Sequence, residues 1–199
     1  MLLCCQSRPK AYVMKKHTHR TKFNFFFVNI LTLLLFSASA QAASKMEIDL
    51  YVEEALKQFQ KHTTAGAKLA KEAKGILVFP KTYKAGVVIG GEYGEGVLKV
   101  GGTTIGYYSI AAASIGAQLG AQMRSQVILF MTDEALNKFR NSDGWEAGID
   151  GSVAIATIGA GEEIDTHTAQ QSIIGFIFSN KGLMFNLNLE GSKISPINR

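Results

Sequence analysis

From Lys45 to Ala73 apolar residues recur with helical period. Ile48, Val52, Ala55, Leu56, Phe59, Thr63, Ala70 and Ala73 fall on one side at about 100° per residue. This pattern predicts one long amphipathic helix. Lys57, Lys61, Lys68 and Lys71 occupy an arc of roughly 80° on the opposite side, with Glu53, Glu54 and Glu72 at its edges. Such a stripe is ordinarily a solvated face; its functional reading is contact with an anionic surface. Gly66 sits on the apolar side, where it either permits close packing or kinks the helix.

After Lys74 the period shortens. GILVF, GVVIG, GVLKV, TTIGYYSI, SQVILFM, GSVAIATI, SIIGFIF and LMFNLNLE each have strand length and β-branched or aromatic content. Leu183, Phe185, Leu187 and Leu189 alternate with polar neighbours, as in a strand with one wet face. Val127 to Met131 is continuously apolar and predicts a central strand. SNKG at 179 to 182 predicts a hairpin loop, and GGEYGEG a glycine turn between two strands. Thr132 precedes DEALNKFR, a short helix near 133-140 with Asp133 and Glu134 in its first turn. The expected fold is α+β: a β-rich single domain of antiparallel strands behind a long N-terminal amphipathic helix. Eight strands also raise a small outer-membrane barrel. Spanning strands run to about 9 to 11 residues; several here are shorter, and the leading helix has no place in a barrel wall.

The first 42 residues read differently. Lys15, Lys16, His17, Arg20 and Lys22 precede the apolar run FFFVNILTLLLF, and SASAQAA follows. That is a secretory signal peptide, with the cut expected after Ala42 and Ala40 as the alternative. Met14 is the better initiator, giving an ordinary leader length. Cys4 and Cys5 both precede Met14, so the expected mature chain offers no cysteine for a disulfide or metal site.

Charge changes with that boundary. Of 21 Lys+Arg, Arg8, Lys10, Lys15, Lys16, Arg20 and Lys22 lie in the leader, whereas all 16 Asp+Glu lie beyond it. Residues 43 to 199 therefore carry 15 basic against 16 acidic side chains, a net charge of −1. General attraction to nucleic acid is excluded, and anion binding needs a local patch.

Catalytic and cofactor motifs fail on particular residues. Gly94-x-Gly96 needs glycine at 99 for a dinucleotide fingerprint and meets Lys99. Gly96-x-x-x-x-Gly101 opens a phosphate-loop pattern, but Gly102 stands where the lysine is required. Ser114 sits in half of a nucleophile elbow that lacks its first glycine. A Ser114, Asp, His167 order is formally available and makes a hydrolase the remote reading. His62 and His167, without cysteines, make a poor zinc site. Glu92, Glu95, Glu162 and Glu163 look like turn and edge residues. No enzyme activity, cofactor or metal is expected.

FPKTYKAG, GGEYGEG at 90 to 96, ASIGAQLGAQ and LEGS are the most specific pieces of a longer match. With AGIDGSVA and NKGLMFNLNLEGSKI they occur in the order of the SYLF domain family, which this chain resembles over nearly all of residues 50 to 195. The resemblance makes 43 to 199 a SYLF domain. It implies membrane-lipid binding, since eukaryotic members bind phosphoinositides and, in fungi, actin, while bacterial members are mostly secreted proteins or lipoproteins. After Val153 this chain reads AIATIGAGEEIDT and lacks the family's G-P-x-G-R, so a basic residue is missing there.

The expected partner is thus an anionic phospholipid or membrane surface, met in the periplasm. Lys81 and Lys84 are expected to flank a turn after Phe79-Pro80, with Tyr83 at the interface and the stripe Lys57, Lys61, Lys68 and Lys71 nearby. An envelope structural or stress-related protein acting through protein contacts is the alternative.

Overall fold

The computed structural model describes residues 44–86, 89–115, 120–157, 164, 166–181, 189 and 191–199. Residues 1–43, most of 183–190, and residues 87–88 and 116–119 lie outside them. Ala43–Arg199 form one compact unit.

Two helices open it, α1 (Lys45–His62) and α2 (Thr64–Glu72). The single predicted helix is broken at Thr63, whose backbone is extended (φ −145°, ψ 109°). Thr63 ends α1 by donating its N–H to Phe59 O, and its hydroxyl then caps α2 by accepting from Gly66 N at 3.0 Å. Gly66 supports close packing: a Cβ there would stand 2.6 Å from Thr63 and 2.8 Å from the Phe59 ring. The helical frame restarts at the break. Lys68 and Lys71 consequently do not continue the stripe of Lys57 and Lys61.

The strands are β1 (Gly75–Gly86), β2 (Ile89–Val100), β3 (Thr103–Ile115), β4 (Gly120–Phe130), β5 (Trp145–Glu146), β6 (Ala154–Thr157), β7 (Ile173–Lys181) and β8 (Lys193–Ile197). The helices α3 (Asp133–Arg140) and α4 (Thr166–Ala169) lie between them. One curled sheet, a half-barrel, runs in the order β5-β8-β3-β2-β1-β4-β7-β6. Every pairing is antiparallel except β6 with β7, which is parallel.

Several strand expectations change. The chain does not turn after Phe79-Pro80; β1 continues to Gly86 through an irregularity between Val78 and Lys81, where a proline without an N–H is tolerated. Of GVVIG, Gly86 ends β1, Ile89 and Gly90 open β2 and residues 87–88 lie outside the described residues, while GGEYGEG lies inside β2 instead of forming a turn. Ser179–Lys181 belong to β7, not to a hairpin loop. The LMFNLNLE strand lies outside the described residues except Leu189, which is buried. β5 and β8 were not read from the sequence.

Both sheet faces are covered. On one, Ile48, Val52, Ala55 and Phe59 of α1 pack on Val78, Val97, Val127, Leu129, Ile174 and Phe176. Phe59 meets Phe176 edge-on at 5.0 Å between ring centroids. On the other, Leu136 and Phe139 of α3 join Leu77, Phe79, Leu98, Ile128, Phe130 and Trp145. A closed outer-membrane barrel has no such layers and no edges, whereas β5 and β6 end this sheet. Among the described residues no helix is long and apolar enough to cross a membrane.

Candidate functional site

The α1 helix keeps acids at the edge of its lysine stripe: Glu47 and Glu54 are exposed, and Glu54 lies about 20° from Lys61. Asp49 accepts from the Tyr107 hydroxyl at 2.9 and 3.0 Å, and Glu53 pairs with Lys99, so both acids are tied to the sheet. Met46, Leu50, Lys57 and Lys61 fall within roughly 60° on the far side of the helix from Ile48 and Phe59. All four are exposed, Met46 to 82% and Leu50 to 66%, so two large apolar side chains stand beside two lysines. Met46 and Leu50 lie on the outward side of α1, where the helical period alone predicts solvated residues, so only their exposure in the fold marks them.

Lys81 and Tyr83 share a sheet face, because alternate residues of a strand point the same way. Lys81 Nζ lies 3.0 Å from the centroid of the Tyr51 ring, which puts this face on the α1 side. Tyr83 is 56% exposed and is opposed on β2 by Tyr93, 50% exposed. Tyr93 donates to Glu95 at 2.8 Å, and partial burial, then that bond, raises its pKa. Lys84 points to the opposite face, where Glu92 and Gln122 are its cross-strand neighbours. Lys81 and Lys84 cannot present one patch.

Lys68 and Lys71 are exposed on α2. Lys71 lines a cavity of about 280 Å³ with Lys74 and Lys99, under the Gly101-Gly102 turn. Neither Lys74 nor Lys99 was a sequence candidate. Alternation held the signal for Lys99, which shares a face with the core residue Val97. From Ile76 at this cavity to Lys84, β1 runs roughly 25 Å at about 3.3 Å per residue. The seven predicted residues therefore form separate groups: the outward side of α1, the α2 surface, the Lys81–Tyr83 face, and Lys84 alone.

Ser114's side chain lies outside the described residues, and His167 is exposed on α4, its ring 3.4 Å from Gln171 Nε2. Among the described residues no group of three or more His, Cys, Asp or Glu is placed to hold a metal ion. Glu92 is not a turn residue. It is buried and paired with Arg124.

Residues 111–198 match the family model described as Ysc84: Las17-binding protein actin regulator. Residues 111–198 are a Ysc84/SYLF family domain. SYLF domains are lipid-binding modules and are generally non-catalytic. The Las17 and actin of that description belong to the family's namesake. No curated protein matches the chain. The matched span runs from the last five residues of β3 through β8 and omits α1, α2, β1, β2 and most of β3, so all of the lysine positions above lie outside it.

Proposed function

We propose that this chain is a non-catalytic periplasmic protein that binds anionic membrane lipid, with the outward side of α1 as its main contact. One observation carries this reading: Met46, Leu50, Lys57 and Lys61 share one exposed stripe while Asp49 and Glu53 are held against the sheet. Two apolar side chains that enter the headgroup layer beside two ammonium groups make an interfacial helix. Each lysine near an anionic surface contributes about 1 kcal/mol, and salt weakens that part alone. Lys81 and Tyr83 extend the same side of the sheet, and Lys68 and Lys71 add charge from α2. Lys84 has no part in this surface.

The competing reading is a protein partner in the envelope. Strand addition at a sheet edge is poorly served, since β5 and β6 offer two and four residues. Co-sedimentation of residues 43 to 199 with vesicles separates the readings; this compact unit holds both core layers, and the omitted apolar run would itself enter lipid. The expected result is binding to phosphatidylglycerol vesicles but not to phosphatidylcholine, weakened by K57Q/K61Q and by M46S/L50S. Absence of binding at low salt removes the lipid reading.

A further inference from the structure

The cavity beneath the Gly101-Gly102 turn gathers more positive charge than its neighbours neutralise. Lys71 comes from the last turn of α2, Lys74 from the α2–β1 junction and Lys99 from β2, above an apolar floor that includes Leu56, Ala70 and Ile76. Glu53 is the one carboxylate paired with any of them among the described residues, and it is paired with Lys99. Lys71 and Lys74 are exposed. Both favour the negative end of α2, which accounts for two of the three. Lys99 is not explained that way: its side chain is only 16% exposed, and it points to the face on which α1 packs. Glu53 offsets one of the three positive charges that line the concavity, which leaves two for an anion to offset.

We propose that this pocket is an anion site that takes one phosphate group, carried by a lipid headgroup or by a small soluble phosphate ester. The volume of about 280 Å³ equals roughly nine waters at about 30 Å³ each. That admits a phosphate with a glycerol-sized substituent and lies below the usual range of about 300–1,000 Å³ for larger ligands. Acyl chains stay outside. Gly101 and Gly102 adopt φ of 56° and 82°, the pairing Val100↔Thr103 closes a two-residue turn, and a Cβ at either glycine would touch nothing within 4 Å. Glycine serves the backbone conformation here and leaves the rim uncovered. The carbonyl end of α2 opposes an anion, so the affinity is modest. The headgroup version rests on the membrane reading above; the soluble-ester version does not.

Isothermal titration of residues 43 to 199 at low salt, with inorganic phosphate and with glycerol 3-phosphate, tests the site. Both probes are expected to bind, about fivefold more weakly in K74Q and about tenfold or more in K74Q/K99Q, with K74R close to the parent. K74Q breaks no ion pair, so its effect is separable from unfolding. Phosphatidylglycerol vesicles then assign the source: binding weakened by K74Q/K99Q supports a headgroup in the pocket, and unchanged vesicle binding supports a soluble ester. Absence of binding by both probes, or equal affinity in K74Q/K99Q, overturns the pocket. Phosphate binding without vesicle binding keeps the pocket and sinks only the membrane reading.

Discussion

Arg124 on β4 and Glu92 on β2 meet across the strand between them, β1, with Arg124 Nε 3.1 Å and Nη2 2.5 Å from Glu92 Oε1. The side chains are 0% and 3% exposed, and Gln126 Nε2 donates to the same carboxylate oxygen at 2.7 Å. Thr82 opposes Arg124 in register, and its hydroxyl is buried without a partner, as is Gln126 Oε1. Removing either ion takes from the other its buried counter-charge. E92A or R124A is expected to cost about 3–5 kcal/mol, and E92L/R124M to be closer to the parent than either. Urea denaturation measures this, and additive losses in the double variant would contradict it.

The glycines of β2 are unequal. A Cβ on Gly96 would stand 2.0 Å from the Val78 carbonyl oxygen, in the backbone of the irregular stretch of β1. A Cβ on Gly91 would meet nothing within 4 Å. G96A is expected to destabilise by about 1–3 kcal/mol or more, and G91A to change stability by less than about 0.5 kcal/mol. Thermal melts of the two variants side by side make the comparison.

Thr63 both ends α1 and caps α2. T63A is expected to lower stability by about 1 kcal/mol through the lost cap. T63S, which keeps the oxygen, should recover most of it in denaturant titrations.

Tyr107 gives the fold an alkaline limit. Burial first, then its hydrogen bond to Asp49 and that carboxylate's charge, push its phenol up to about 12. Lys45 also lies over the ring, 5.4 Å from its centroid. Between the usual tyrosine value near 10 and about 12 the unfolded chain loses this proton while the folded one keeps it, so stability falls as pH rises through that window. Below it the contribution is fully present. Y107F is expected to flatten the fall, and denaturation midpoints at pH 9, 10 and 11 for both proteins (about those values) would show an unchanged slope if the reading were wrong.

Much of this architecture was legible in the chain. The period of Ile48, Val52, Ala55 and Phe59 gave the buried side of α1, Thr132 with its acidic followers gave α3, and the apolar run ending in Phe130 gave a central strand. These features are local, and side-chain direction in a helix or strand repeats with a fixed step. The lysines of the candidate site were visible too, but not as one surface.

Residue order alone determined the α+β class, the strand-rich chain after Lys74, the lysine-bearing side of α1 and the failure of both nucleotide motifs. Tertiary structure decided the rest. Strand pairing placed Arg124 beside Glu92 across 32 positions, and a single pleat separated Lys84 from Lys81. One extended residue, Thr63, broke the stripe in two. Packing of α2 over the β2 end brought Lys71, Lys74 and Lys99 around one cavity. Such meetings depend on register and on where the chain folds back, and sequence spacing carries no record of either.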